Sequence, residues 1–171
     1  LGQIPLSGGK ACIPTLAEVL ALVDGRVPLL IEIKDQDLNM GPNVGSLQQA
    51  TADVLAGYAG DVAVMSFNPH AVIAFGEAAP HIPRGLVTSS YDPADWEPLA
   101  VDLCERLREI PDYDRTGASF ISHEAHDLDR PRVAELKAAG ANILCWTIKS
   151  AEEEAQARKI VDNVTFEGYL A

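Results

Sequence analysis

Positive charge is scarce in this chain. Thirteen Lys and Arg stand against twenty-five Asp and Glu, a formal net charge of −12 over 171 residues. Nucleic acid and anionic membrane surfaces both need a basic footprint, so the charge balance argues against either as a partner. An anionic small substrate is also disfavoured unless a cation or a local basic group compensates. No apolar run approaches the roughly 20 residues that span a bilayer. No signal peptide is visible, but the first residue is Leu1 rather than Met, so that absence says little. Cysteine is limited to Cys12, Cys104 and Cys145, an odd number without CxxC spacing. Free thiols in a reducing compartment follow, which predicts a cytoplasmic protein and leaves the periplasm open. No GxGxxG follows any predicted strand, which weakens a dinucleotide-binding reading.

What is present is ordinary in bulk: 47% apolar and 22% charged residues. The length suits a single domain, 1–171, with a real core. The most informative stretch is Pro28-Leu29-Leu30-Ile31-Glu32-Ile33-Lys34. It is aliphatic, as a parallel strand covered on both faces should be, until two charges appear at its end. Strand side chains alternate, so Glu32 and Lys34 share one side and Ile31 and Ile33 the other. Burying such charges is costly unless they pair or bind an ion. The strand end is therefore a candidate site; its alternative is a plain ion pair at the edge of the core.

The rest of the chain alternates. Residues 1–13 read as a loop, in which Ser7-Gly8-Gly9-Lys10 is a turn rather than a phosphate loop, lacking the GxxxxGK[ST] spacing. Thr15-Leu16-Ala17-Glu18 is a capping box, and Asp24-Gly25 ends that helix. A polar loop, 35–45, follows the charged strand. Ser46-Leu47-Gln48-Gln49, another S-x-x-Q capping box, opens a helix with a stripe of Leu47, Ala50, Val54, Leu55 and Tyr58. Strands are expected at Val62–Phe67, Arg84–Thr88, Ala118–Ser122, Asn142–Thr147 and Asn163–Phe166. Helices lie between them, one starting at Asn68-Pro69 and one around Asp95–Ile110. Six strands with intervening helices imply a parallel sheet with right-handed crossovers. An open sheet and part of a (β/α)8 barrel both fit. Polar and aromatic residues recur at strand C-terminal ends, which favours the barrel.

Five segments in series resemble the glycerophosphodiester phosphodiesterase family: Ile13–Leu20, Leu30–Lys34, Met65–Pro69, Pro80–Arg84 and Cys145–Thr147. The resemblance implies an α/β fold, a (β/α)8 TIM-type barrel of which this chain covers about strands three to eight. It also implies that strands one and two are absent. In the family those carry a His-Arg-Gly motif, a Glu shortly after it, a Glu-x-Asp motif and a second His followed by Asp. The missing His pair is the family's acid and base, and two of its three metal carboxylates are missing as well.

The implied activity is metal-dependent hydrolysis of glycerophosphodiesters to glycerol 3-phosphate and an alcohol. The alternatives are a related barrel phosphodiesterase of lysophospholipase D or sphingomyelinase D type, or a non-catalytic phosphodiester-binding module. The implied cofactor is a divalent ion, Mg2+ or Ca2+, with Glu32 as the third carboxylate ligand. Lys34 would act on the phosphate as a point charge, or serve only as a partner for Glu32. Trp146 would line the pocket for the glycerol part, with Phe67 as a further wall; both could instead be core. His123 is expected in a loop just after its strand, where it could touch substrate. His70 and His81 read as surface residues, and His126 forms no helical metal pair with His123. Cys145 should face the helices as a small hydrophobe. Two positions depart from the family pattern: Lys149, where Asn is usual, and Phe166-Glu167, where Thr-Asp is usual. The partner is a small molecule, and the oligomeric state is open.

Overall fold

A computed structural model describes residues 12–170 together with Ile4, Leu6, Ser7 and Gly9. The Ser7–Lys10 turn lies partly outside the described residues. Strands β1 (Leu29–Glu32), β2 (Val62–Ser66), β3 (Arg84–Thr88), β4 (Phe120–Glu124), β5 (Asn142–Ile148) and β6 (Asn163–Phe166) are separated by helices. These are α1 (Leu16–Val23), α2 (Leu47–Leu55), α3 (Pro69–Ala78), α4 (Val101–Arg108), α5 (Tyr113–Thr116), α6 (Pro131–Ala138) and α7 (Ala151–Ala157). Every strand pairs in parallel with the next in the chain, in the order β1-β2-β3-β4-β5-β6. The sheet curls into a half-barrel with helices, consistent with part of a TIM-type α/β barrel.

Local chemistry sets the element ends. The Thr15 hydroxyl accepts from the Glu18 amide while the Glu18 carboxylate accepts from the Thr15 amide at 2.7 Å, so the capping box forms. Asp24 and Gly25 then take left-handed backbone, φ 49° and 69°, and stop α1. Asn68 caps α3 and Pro69 occupies its first turn. At Ser46 the expected box does not close, since its side chain makes no capping bond.

The strands separate two apolar layers. Leu20, Ile33, Leu55, Val64, Phe75 and Ile82 pack between β1–β2 and the helices. Leu86, Ile121, Val133, Ile143, Cys145 and Ile148 do the same toward the other end, so Cys145 faces the helices as its alternation implies. The inner face carries Met65, Val87 and Phe120, joined by Ala63, Phe67, Leu144 and Trp146. Gly85 makes this inner packing fit: a Cβ there would come within 2.3 Å of the Phe120 ring.

Further expectations need correction. The buried face of α2 is Gln48, Thr51, Ala52 and Leu55, while Leu47 and Val54 are each 40% exposed. The apolar pattern gave the wrong phase because this helix buries polar side chains. The expected helix around Asp95–Ile110 begins only at Val101, since Pro98 disfavours helix in the residue before it. A further short helix, α5, precedes β4. Strand β4 ends at Glu124 rather than Ser122, which moves His123 and Glu124 from loop into strand. Strand β1 is half-exposed rather than buried on both faces, because among the described residues it has a strand neighbour on one side only.

Candidate active site

In a parallel sheet all strand C-terminal ends open on one face. Five consecutive strands deliver inward-facing groups there: Glu32 from β1, Phe67 just beyond β2, Ser89 just beyond β3, Glu124 from β4 and Trp146 from β5. Glu32 and Lys34 do project together. Lys34 Nζ donates to Glu32 Oε1 at 2.7 Å, with side chains 74% and 22% exposed respectively. The ammonium is thus presented to solvent at the mouth. The loop after this pair is anchored, because the fully buried Asn68 amide donates to Asp35 Oδ1 at 2.7 Å and to the Gly41 carbonyl at 2.8 Å.

The aromatic residues form a row. Phe67 meets Trp146 edge-on with centroids 5.5 Å apart, and meets Trp96 edge-on at 5.0 Å. Tyr91 continues the row, 4.7 Å from Trp96. The Trp146 indole N–H donates to the Ser122 carbonyl at 3.0 Å, which fixes the ring while leaving it half-buried. Phe67 and Trp146 therefore come together as the sequence expects. Trp96 was not anticipated. Its stretch reads as the start of a helix, and Pro98 was the available sign that it is a loop instead.

Glu124 was also missed. Its Oε2 accepts from Ser89 Oγ at 2.7 Å, the Ser90 amide at 3.0 Å and Ser90 Oγ at 2.8 Å. Partial burial pushes this carboxyl up, but those three hydrogen bonds together outweigh it and leave it below the usual range.

His123 does not join the mouth. It is fully buried, with Nδ1 at 2.8 Å from Thr88 Oγ1 and Nε2 at 3.2 Å from an Asp127 carboxylate oxygen. Alternation explains this: Glu124 and Ser122 point inward, so His123 points outward into the helix layer. Burial lowers its pKa, and Asp127 only partly opposes that shift. The sign of the consequence follows. The unfolded chain takes up a proton near pH 6.5 that the folded chain does not, so stability is full above that pH and falls as pH drops below it. His123→Gln is expected to flatten the fall of stability just below about pH 6.5, where one proton contributes at most about 1.4 kcal/mol per pH unit. An unchanged pH slope in urea titrations would contradict this assignment.

His81 and His126 are exposed and His70 is half-buried. The two departures from the family pattern meet each other: Lys149 Nζ lies 3.6 Å from Glu167 Oε1, an exposed rim pair. Cys12, Cys104 and Cys145 are free thiols, and burial pushes the Cys145 thiol up to about 11. No helix among the described residues is long and apolar enough to cross a membrane.

A hard divalent cation takes six or more oxygen ligands. Among the described residues no group of three or more His, Cys, Asp or Glu side chains could hold a metal ion. The donor set at the mouth does not complete such a site. Glu32 can supply one carboxylate to it and no more.

Comparison with known proteins places this geometry. A phosphodiesterase from Oleispira antarctica, solved with its product sn-glycerol-3-phosphate, superposes with a TM-score of 0.69 at 22% identity, over 92% of this chain and 58% of its own. A glycerophosphodiester phosphodiesterase from Parabacteroides distasonis gives 0.68 at 19%, over 97% and 64%. One from Agrobacterium tumefaciens gives 0.59 at 19%, over 92% and 59%. At these identities the likeness speaks to fold, and the chain spans less than two thirds of each structure's length. A search of curated proteins finds no match. The family model of glycerophosphoryl diester phosphodiesterases, however, matches residues 2–165, so the chain belongs to the glycerophosphoryl diester phosphodiesterase family.

Proposed function

We propose that this chain forms the larger part of a metal-dependent barrel that hydrolyses glycerophosphodiesters to glycerol 3-phosphate and an alcohol. The observation that carries the reading is the Glu32–Lys34 pair beside the Phe67–Trp146 wall at one strand-end mouth. A phosphodiester is an anion that resists nucleophilic attack, so charge must be neutralised where the phosphate sits. On this chain the exposed Lys34 ammonium supplies that charge. Glu32 holds Lys34 toward the mouth, and its carboxylate is the one ligand the chain contributes to a divalent ion. When bound, Mg2+ or Ca2+ would supply further charge neutralisation at the phosphoryl oxygens. Phe67 and Trp146 offer ring faces and edges to the C–H side of a polyol, which suits glycerol. The acid, the base and the remaining carboxylates would come from two further strands, one beside β1 and one beside β6. His123, enclosed in the helix layer, has no part in this reading.

Release of glycerol 3-phosphate from glycerophosphocholine or glycerophosphoethanolamine, with magnesium or calcium added, tests the proposal. Release of free choline from lysophosphatidylcholine in its place would favour the lysophospholipase D alternative. Binding of glycerophosphodiesters with no turnover would favour the non-catalytic module. Trp146→Ala sharpens the test. It is expected to lower kcat/KM for glycerophosphodiesters by about tenfold, the value of an aromatic contact of roughly 1.5 kcal/mol, with a much smaller effect on a small chromogenic phosphodiester. Equal losses on both substrates would mean that Trp146 acts through the core.

A further inference from the structure

Among the described residues Glu124 makes the largest set of hydrogen bonds of any carboxylate at the mouth, and none of them goes to a cation. All three are accepted by one oxygen, Oε2. One donor is the backbone N–H of Ser90, which can only donate, so the atom opposite it must be an acceptor. Ser89 Oγ gives its single proton to that oxygen at 2.7 Å. Its lone pairs are then free to accept from the Trp96 indole N–H and from the Tyr91 amide, both at 3.3 Å. The carboxylate thus fixes where the Ser89 hydroxyl proton points, and the donor-only indole and amide N–H groups meet the lone pairs that this orientation leaves toward them.

The segment so tied is not relaxed on its own. Tyr91 holds left-handed backbone, φ 49°, while its side chain is 1% exposed. Arg108 secures the same turn from α4, with Nε donating to the Ser90 carbonyl at 2.6 Å and Nη2 to the Tyr91 carbonyl at 3.2 Å. Trp96 follows within this loop and lies edge-on against Phe67. Phe67 in turn lies edge-on against Trp146. One carboxylate on β4 thereby fixes the far end of an aromatic row whose near end is on β5.

We propose that Glu124 is a positioning residue for substrate specificity: through Ser89 and Ser90 it holds Trp96 in place, and so sets the width of the wall that receives the glycerol part of the substrate. This rests on the reading of the Phe67–Trp146 row as that wall. Releasing Trp96 would widen the wall, weaken selection for a small polyol and leave the phosphate-binding end at Lys34 as it is. A carboxamide keeps an acceptor oxygen, and the Ser90 N–H selects the rotamer that presents it. Glu124→Gln should therefore retain the clamp, and Glu124→Ala should lose it.

The test uses the protein as its gene encodes it, labelled with 5-fluorotryptophan, the Trp96 fluorine resonance being assigned by its loss in Trp96→Phe. In Glu124→Ala that resonance is expected to move toward the position of free fluorotryptophan, and in Glu124→Gln to stay near its original place. Ser89→Ala, which removes the indole's acceptor and leaves the Ser90 bonds to Glu124 intact, is expected to release Trp96 as Glu124→Ala does, and a resonance that stays in place there overturns the proposal even where Glu124→Ala fails to fold. In steady-state assays Glu124→Ala should raise KM for glycerophosphocholine about tenfold with kcat within about threefold, and Glu124→Gln should restore KM. The proposal is overturned by a Trp96 resonance that stays in place in either Glu124→Ala or Ser89→Ala, or by Glu124→Gln losses equal to those of Glu124→Ala. If the wild-type protein hydrolyses no glycerophosphodiester, the functional reading fails by itself, and the fluorine spectra still decide whether Glu124 positions Trp96.

Discussion

Replacing Glu32 by Gln in the protein as its gene encodes it is expected to cut glycerophosphodiester turnover by about a hundredfold or more, the scale for losing one preorganised electrostatic group, while leaving the fold almost unchanged. The two halves of that expectation have separate causes. In the folded chain Glu32 pairs with a Lys34 that is 74% exposed. An ion pair so open to water contributes at most about 1 kcal/mol, and the amide can still accept from the ammonium. Stability therefore should hardly move. The amide cannot supply negative charge to a divalent ion, so metal affinity should fall along with turnover. Isothermal titration with magnesium or calcium and steady-state kinetics would read both effects. Unchanged metal affinity and turnover would remove Glu32 from the site. A large loss of stability alongside the loss of activity would assign it to the fold instead.

The second large effect concerns residues 1–171 by themselves. Their hydrolysis of glycerophosphodiesters is expected to fall below detection. The described residues bring two carboxylates to the mouth, of which Glu124 is taken up by Ser89 and Ser90 and Glu32 alone is a candidate ligand, and no His is among the inward-facing groups. Acid–base assistance alone is worth about a hundred- to ten-thousandfold, and a one-carboxylate site holds a hard cation poorly in water. The packing leads to the same expectation. Among the described residues β1 and β6 each have a strand neighbour on one side only. Leu30, on the inner face of β1, is 37% exposed. Unpaired ladder groups and an open interior favour aggregation, so the isolated segment should also be poorly soluble.

Much of this arrangement is legible in the residue order, because it depends on local rules. Alternation in 28–34 puts Glu32 and Lys34 on one side, and the structure pairs them. The Thr15–Glu18 box and the Asn68-Pro69 start are short-range chemistry, and both are formed. What escapes is chemistry between distant segments. His123-Glu124 reads as a polar exit from a strand, yet both continue β4. His123 is satisfied by Thr88 and Glu124 by Ser89 and Ser90, partners 34 or 35 positions away. Only the fold brings those partners close, so no pattern within the segment shows that His123 and Glu124 meet them. The phase of α2 is hidden for a related reason. Gln48 and Thr51 are buried there, and a reading keyed to apolar spacing turns the helix the wrong way. Trp96 was missed because Asp95–Ile110 was read as one helix across Pro98.

The central claim is that this chain holds one side of a split phosphodiesterase site, with Glu32 and Lys34 at its mouth. The most direct measurement expresses residues 1–171 alone and together with any coding sequence that precedes Leu1 in its gene, and assays glycerol 3-phosphate release with added magnesium or calcium. The expected result is no release from the segment alone, release when the preceding segment is supplied, and loss of that release in Glu32→Gln. A soluble, monomeric and fully active 1–171 would contradict the claim.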